Sequence, residues 1–139
     1  MTNLLATFGF GSETAIAAAA LVLRLALAGL FLAHAWLKIF VFTPAGAAGY
    51  FQSLGLPGAL AYVTIAVEIL GALALLLGFQ TSLVALALIP VLLGAAILAH
   101  GPNGFWFTNA NGGWEYPAFW TVALFVQALL GGGLLALTK

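Results

Sequence analysis

The 139-residue chain contains no cysteine and no aspartate, and its only strong charges are Arg24, Lys38 and Lys139 against Glu13, Glu68 and Glu115. The lack of cysteine excludes disulfides, thiolate metal sites and thiol redox chemistry of the protein itself. The lack of any basic cluster removes the electrostatic footprint that nucleic acid requires, so no nucleic-acid partner is expected. Charged residues make up 4% of the chain and hydrophobic ones 65%, whereas a soluble domain carries about 25% charged and about 45–50% apolar residues. No soluble fold could cover so much apolar surface, and the lipid bilayer is therefore the expected partner. No basic residue precedes the first apolar stretch, which is too long for a signal-peptide core, so the first helix reads as a retained anchor.

Four apolar segments approach the roughly 20 residues needed to cross a hydrocarbon core about 30 Å thick. They run over about residues 14–40, 58–78, 82–99 and 117–137. The first is interrupted by Arg24, His34 and Lys38, and the second only by Glu68. The third carries no charge but has Pro90 near its middle, where a kink is expected unless neighbours satisfy the freed carbonyl. Gly and Pro residues at 44–57 and Gly78 with Gln80 and Thr81 mark short connections. The third connection, from His100 to Trp114, interleaves glycine and asparagine with Phe105, Trp106 and Phe107, and reads as an aromatic flap at the interface. There is no internal repeat and no long linker. The expected fold is all-α, an integral membrane four-helix bundle forming a single transmembrane domain over residues 1–139.

Four spans place both termini on one side. Their loops hold no Lys or Arg, so orientation rests on Lys139, which favours cytoplasmic ends, against Lys38, which opposes them; both termini are expected to be cytoplasmic.

Helical spacing sets Arg24, Leu27, Phe31, His34 and Lys38 on one stripe of the first helix. Glu68 shares a face of the second with Ala61, Thr64, Gly71 and Ala72, small residues that let a neighbouring helix approach. Arg24 and Glu68 each lie about ten residues from a helix end, near the midplane by the rise per residue. They are expected to form a buried ion pair, either as a structural clamp or as a proton or substrate site. His34, Lys38, His100 and Glu115 converge at the other end of the bundle, a candidate ligand-binding mouth for an anion, a quinone carbonyl or a polar headgroup. Blander roles are open: Lys38 as a snorkelling interfacial residue, Glu115 serving a helix N-terminus beside Pro117, and each histidine donating to a carbonyl. Two histidines at one membrane face could ligate haem, a reading ranked below quinone. Without Asp or Cys the donor set is too thin for zinc or iron, so no metal is expected. Trp36, Trp106, Trp114 and Trp120, with Phe105 and Tyr116, form an interfacial belt or a stacking pocket. Gln127 is placed for an interhelical hydrogen bond. The glycines at 131–133 end a helix instead of following a strand, so there is no dinucleotide fingerprint.

Several of these stretches resemble the DoxX family of small bacterial membrane proteins. They are GLFLAHAWLKIF from Gly29 to Phe40, Gly55-Leu-Pro57, Glu68-Ile-Leu-Gly71, Leu77-Gly78, the run from His100 to Phe105, and Gly112-Gly-Trp-Glu115-Tyr-Pro117. Ala35 stands where the family usually has glycine. The resemblance implies a four-helix, multi-pass protein of the cell inner membrane. It also implies association with quinol oxidase or thiosulfate:quinone oxidoreductase systems and a redox protein partner, while naming no catalytic residue. A non-catalytic assembly, lipid-binding or transport protein is the rival reading.

Overall fold

Ser12 opens the first helix, its hydroxyl accepting the amide hydrogen of Ala15 at 3.1 Å, which satisfies one of the donors a helix start leaves free. The computed structural model describes residues 9–138. Residues 1–8 and Lys139, on which the orientation argument drew, lie outside them. The described elements are helical: α1 (Glu13–Trp36), α2 (Pro44–Ser53), α3 (Ala59–Leu77), α4 (Thr81–Gly94) and α5 (Glu115–Leu130). α1 and α4 each finish in a wider π turn, over Leu37–Val41 and Ala95–Ala99.

With their π turns, α1 and α4 run for 29 and 19 residues, and α3 for 19, each apolar enough to cross a membrane. At 1.5 Å per residue, 19 residues span about 28 Å. α5 is a shorter apolar helix that completes a four-helix membrane bundle, and α2 is a fifth helix lying between α1 and α3 in the chain. Large apolar side chains such as Val22, Leu70, Phe119 and Leu129 point outward, as a lipid-facing surface requires. The core joins Leu27, Ala28 and Phe31 of α1, Ala72 and Leu75 of α3, Ala85, Leu88 and Leu92 of α4, and Trp120 and Leu124 of α5. α4 packs most extensively on α5, and α1 on α3. The face of Ala61, Gly71 and Ala72 that accompanies Glu68 is buried, together with Ile65 and Leu75.

Two elements differ from the sequence reading. The segment after α1 was expected to be a loop, yet it holds α2, which Thr43 caps by accepting the Gly46 amide at 3.1 Å, with Pro44 at the first helical position. Proline there has its φ already set and lacks only a donor that would be free anyway. The last span was expected to reach 137. Instead α5 starts at Glu115 and stops at Gly131, whose φ of 72° is left-handed and breaks the helix. Residues 131–138 then fold back across the bundle end. Leu134 donates to Ala17 O, Leu137 to Leu77 O and Thr138 to Gly78 O.

Candidate functional site

The buried ion pair at the centre of the bundle differs from the one that counting residues suggests. Lys38 Nζ donates to both carboxylate oxygens of Glu68, at 2.9 and 3.0 Å, and this is the salt bridge found among the described residues. Arg24 is not the partner of Glu68, which corrects the expected Arg24–Glu68 pair. Helical side chains lean toward the N-terminus of their own helix. α1 and α3 are antiparallel, so Arg24 leans toward one end of the bundle while Glu68 leans toward the other. Lys38 starts beyond Glu68 and leans back to meet it.

Arg24, 1% exposed, instead binds four backbone carbonyls. Its Nη1 donates to Leu75 O at 2.8 Å and Leu76 O at 2.7 Å, its Nε to Gly132 O at 3.1 Å and its Nη2 to Leu134 O at 2.9 Å. Two of these carbonyls belong to the last turn of α3, where the helix dipole presents partial negative charge and the usual donors four residues on are missing; Leu75 O takes only the longer bond from Gly78 N at 3.2 Å. Arg24 therefore sits at a helix end, level with the folded-back segment, and not at the midplane. Its planar fork of donors ties 131–138 to α3. Gln127 works beside it, donating to Ala20 O of α1 at 3.1 Å and to Gly131 O at 2.9 Å.

At the opposite end α1 and α4 finish in their π turns, with Phe42 N bonded to Leu37 O and His100 N to Ala95 O. Such turns insert an extra residue and change the direction in which the following side chains leave the helix. One carries Lys38 and the other delivers His100. The four residues expected to share one mouth divide into separate contacts. Lys38 turns inward to Glu68. His34 Nδ1 lies 2.9 Å from Leu30 O, and its ring packs on Trp120 with centroids 4.8 Å apart. His100 Nδ1 lies 2.9 Å from Gly112 O and its Nε2 2.8 Å from the Tyr116 hydroxyl. Glu115 Oε1 accepts the Phe107 amide at 3.2 Å and so steadies the loop from within.

That loop is a closed, hydrogen-bonded structure. Gly113 N donates to Trp106 O, Trp114 N to Gly104 O and Glu115 N to Phe105 O. Asn103 Nδ2 donates to Gly112 O at 2.9 Å and to Ala99 O at 3.2 Å. A Cβ on Gly113 would strike Trp106 O and Phe105 O, so the close approach of these strands of loop needs glycine there. Phe105 stacks edge-on against both Trp106 and Trp114, at 4.9 Å. Trp36, Trp106 and Phe107 are exposed at this same end, a position suited to the membrane–water interface. Trp120 instead belongs to the core, against Phe31 at 4.7 Å.

Between this loop and α5 lies an open cleft of about 470 Å³, lined by Phe105, Trp114, Glu115, Tyr116, Ala118, Phe119 and Val122. Its wall includes the outward, lipid-facing side of α5. Of the four expected ligand residues, Glu115 lines it and His100 reaches it through Tyr116, whereas His34 and Lys38 do not line it. Tyr116 and Trp120 are the site residues that sequence reasoning did not assign to the histidines. Their spacing shows only that they stand one turn apart on one face of α5; that this face meets His100 and His34 depends on the path of the loop. Among the described residues no three His or Glu side chains gather as a metal site would require.

An apolar helical bundle with an ion pair bridging α1 and α3 and an aromatic cleft at one end defines a small polytopic membrane protein. The chain belongs to the DoxX family, whose family model matches residues 19–101. The matched stretch contains Arg24, His34, Lys38, Glu68 and His100, and the loop beyond Gly101 and α5 follow it. No curated protein and no solved structure matches the chain.

Proposed function

We propose that this chain is a single transmembrane domain of the cell inner membrane that binds a quinone or a similar amphiphile at its aromatic end, as a redox-associated subunit. The observation that carries this reading is the cleft itself. It lies on the outward side of α5, it is walled by Phe105, Trp114 and Phe119, and its polar residues include Glu115 and Tyr116, the latter hydrogen-bonded to His100. Ligand sites of this kind are mostly apolar with a few placed polar groups. A flat ring carried on an apolar tail could enter sideways from the bilayer, stack on the aromatic wall and meet the Tyr116–His100 pair with its head. The Lys38–Glu68 pair beneath holds α1 against α3 and keeps the bundle end in shape.

Cytoplasmic placement of the Ser12 and 131–138 end is supported by the use of Lys38 inside the bundle, which leaves Lys139 as the basic residue that weighs on orientation. A second reading, a non-catalytic lipid-binding or assembly protein, is favoured by one observation: Lys38 is committed to Glu68 and is not free to draw a charged substrate.

The two readings separate on purification in mild detergent, followed by solvent extraction and mass spectrometry. The redox reading expects a co-purifying ring-headed amphiphile. A preparation that carries phospholipid alone, and that shows no tryptophan quenching with added decyl-tailed quinone or quinol, overturns it in favour of the second.

A further inference from the structure

The end of the bundle opposite the aromatic cleft holds a second, smaller pocket of about 70 Å³. Gln80, Thr81 and Ser82 at the start of α4 line it, with Gly131, Gly132 and Thr138 of the folded-back segment. A helix start leaves amide donors unsatisfied, and an N-cap side chain normally accepts one of them. α4 has no such cap: Gln80, its N-cap residue, is left-handed at φ 45° and its side chain makes no capping bond. Gln80 N is taken by Thr138 Oγ1 at 2.7 Å, and Val84 N by Gln80 O. The amides between them, of Thr81, Ser82 and Leu83, have no acceptor among the described residues. A second observation points the same way. Thr81 is 3% exposed, yet its Oγ1 has no hydrogen-bond partner, a state that buried polar groups rarely hold without a bound water or ion. That oxygen lies against the glycine wall of the pocket: a Cβ on Gly132 would come within 3.2 Å of it, and one on Gly131 would stand 4.0 Å from Ser82 Oγ.

The electrostatics favour a ligand of one sign. The start of α4 presents the positive end of its helix dipole, and no Asp or Glu is among the described residues that line the pocket. Behind the wall, Arg24 Nε donates to Gly132 O at 3.1 Å. That guanidinium meets carbonyls alone, and the salt bridge found among the described residues lies elsewhere, between Lys38 and Glu68. Backbone amides can only donate, and the Thr138 hydroxyl, whose oxygen accepts from Gln80 N, keeps its hydrogen for another acceptor. At about 30 Å³ per water the pocket has room for roughly two waters or one tetrahedral oxyanion, and none for a ring. We infer that it binds a phosphate group, held by the free amides of α4 and the hydroxyls of Thr81 and Ser82. A phosphate reaches this bundle end from two sources, free in solution or carried in a lipid headgroup. The site stands apart from the amphiphile cleft and does not depend on it.

The test uses the full chain in maltoside micelles and phosphate-free buffer with three probes: inorganic phosphate, dioctanoyl phosphatidic acid, and dioctanoylglycerol, which has the same chains and no phosphate. Binding is measured by titration calorimetry, and stability by SDS unfolding followed by circular dichroism. A preference of about tenfold or more for phosphatidic acid over dioctanoylglycerol supports the site and identifies a headgroup as the source. Saturable binding of inorganic phosphate without that preference supports it with the free ion as the source. Thr81→Val keeps the side-chain shape and removes the hydroxyl. It should weaken the bound phosphate probe about tenfold while leaving the unliganded protein as stable as the wild type or more so, because the orphaned oxygen is gone. Ser82→Asp sets a carboxylate at the helix start, where it suits the dipole, and should abolish phosphate binding in a folded protein. This second variant keeps the test decisive if the first disturbs the fold. Equal binding of phosphatidic acid and dioctanoylglycerol, with no binding of inorganic phosphate, overturns the inference. Phosphate binding that both variants leave unchanged overturns it too, since the phosphate then sits elsewhere.

Discussion

Replacing Lys38 by Met removes the cation from a carboxylate that has no other hydrogen-bond partner among the described residues. Glu68 is 4% exposed and receives two hydrogen bonds, both from Lys38. Deleting one member of a buried pair costs about 3–5 kcal/mol, because the other is left as an uncompensated charge, whereas replacing both by apolar groups of similar volume is often close to neutral. The structure adds an asymmetry. The Lys38 side chain is 19% exposed against 5% for Glu68, so a stranded lysine can snorkel toward the interface and a stranded glutamate cannot. Lys38→Met should therefore lose about 3–5 kcal/mol, Glu68→Leu about 1–3 kcal/mol, and the double variant less than Lys38→Met alone. The assay is reversible SDS unfolding in mixed micelles, followed by circular dichroism. Additive losses would show that the pair is not coupled, and a larger loss from Glu68→Leu than from Lys38→Met would refute the argument from exposure. Arg24→Gln combined with Glu68→Gln serves as the contrast, and there the losses should add.

Further outcomes follow from the other contacts. Arg24→Lys keeps the charge but gives up the planar fork that reaches four carbonyls; a loss of about 2–4 kcal/mol is expected, with faster hydrogen exchange at Leu134, Leu137 and Thr138. Gly113→Ala forces a methyl against Trp106 O and Phe105 O, which should cost about 1–3 kcal/mol and shift tryptophan emission as the loop parts from α5. Gln127→Met removes two hydrogen bonds, but it also removes a buried Oε1 that has no partner. The net loss should stay within about 1.5 kcal/mol in the same unfolding assay.

Much of the bundle is legible in composition and periodicity, because lipid imposes a simple rule: a span must be long, apolar and internally hydrogen-bonded. Glu68 among small residues was readable as an inward face for that reason. The ends were harder. α2 is marked by Thr43-Pro44, a capping signal hidden within a stretch rich in glycine and alanine. The end of α5 is marked by Gly131, but the apolar residues after it carry the same hydropathy as a helix. The His100–Tyr116 contact joins residues on either side of a loop whose path depends on its backbone hydrogen bonds, and no spacing rule supplies that path.

Composition and periodicity alone place this protein in a membrane, put the charges that interrupt its apolar spans, Arg24, Lys38 and Glu68, on the first two of those spans, and gather polar and aromatic residues at one end. These properties follow from the counts and periods of side chains, which transfer energies act on directly. Which charges pair was settled by packing in three dimensions. Counting residues gives the depth of a Cα atom, but a helical side chain leans toward its own N-terminus, and in antiparallel neighbours that lean separates Arg24 from Glu68 and brings Lys38 back to it.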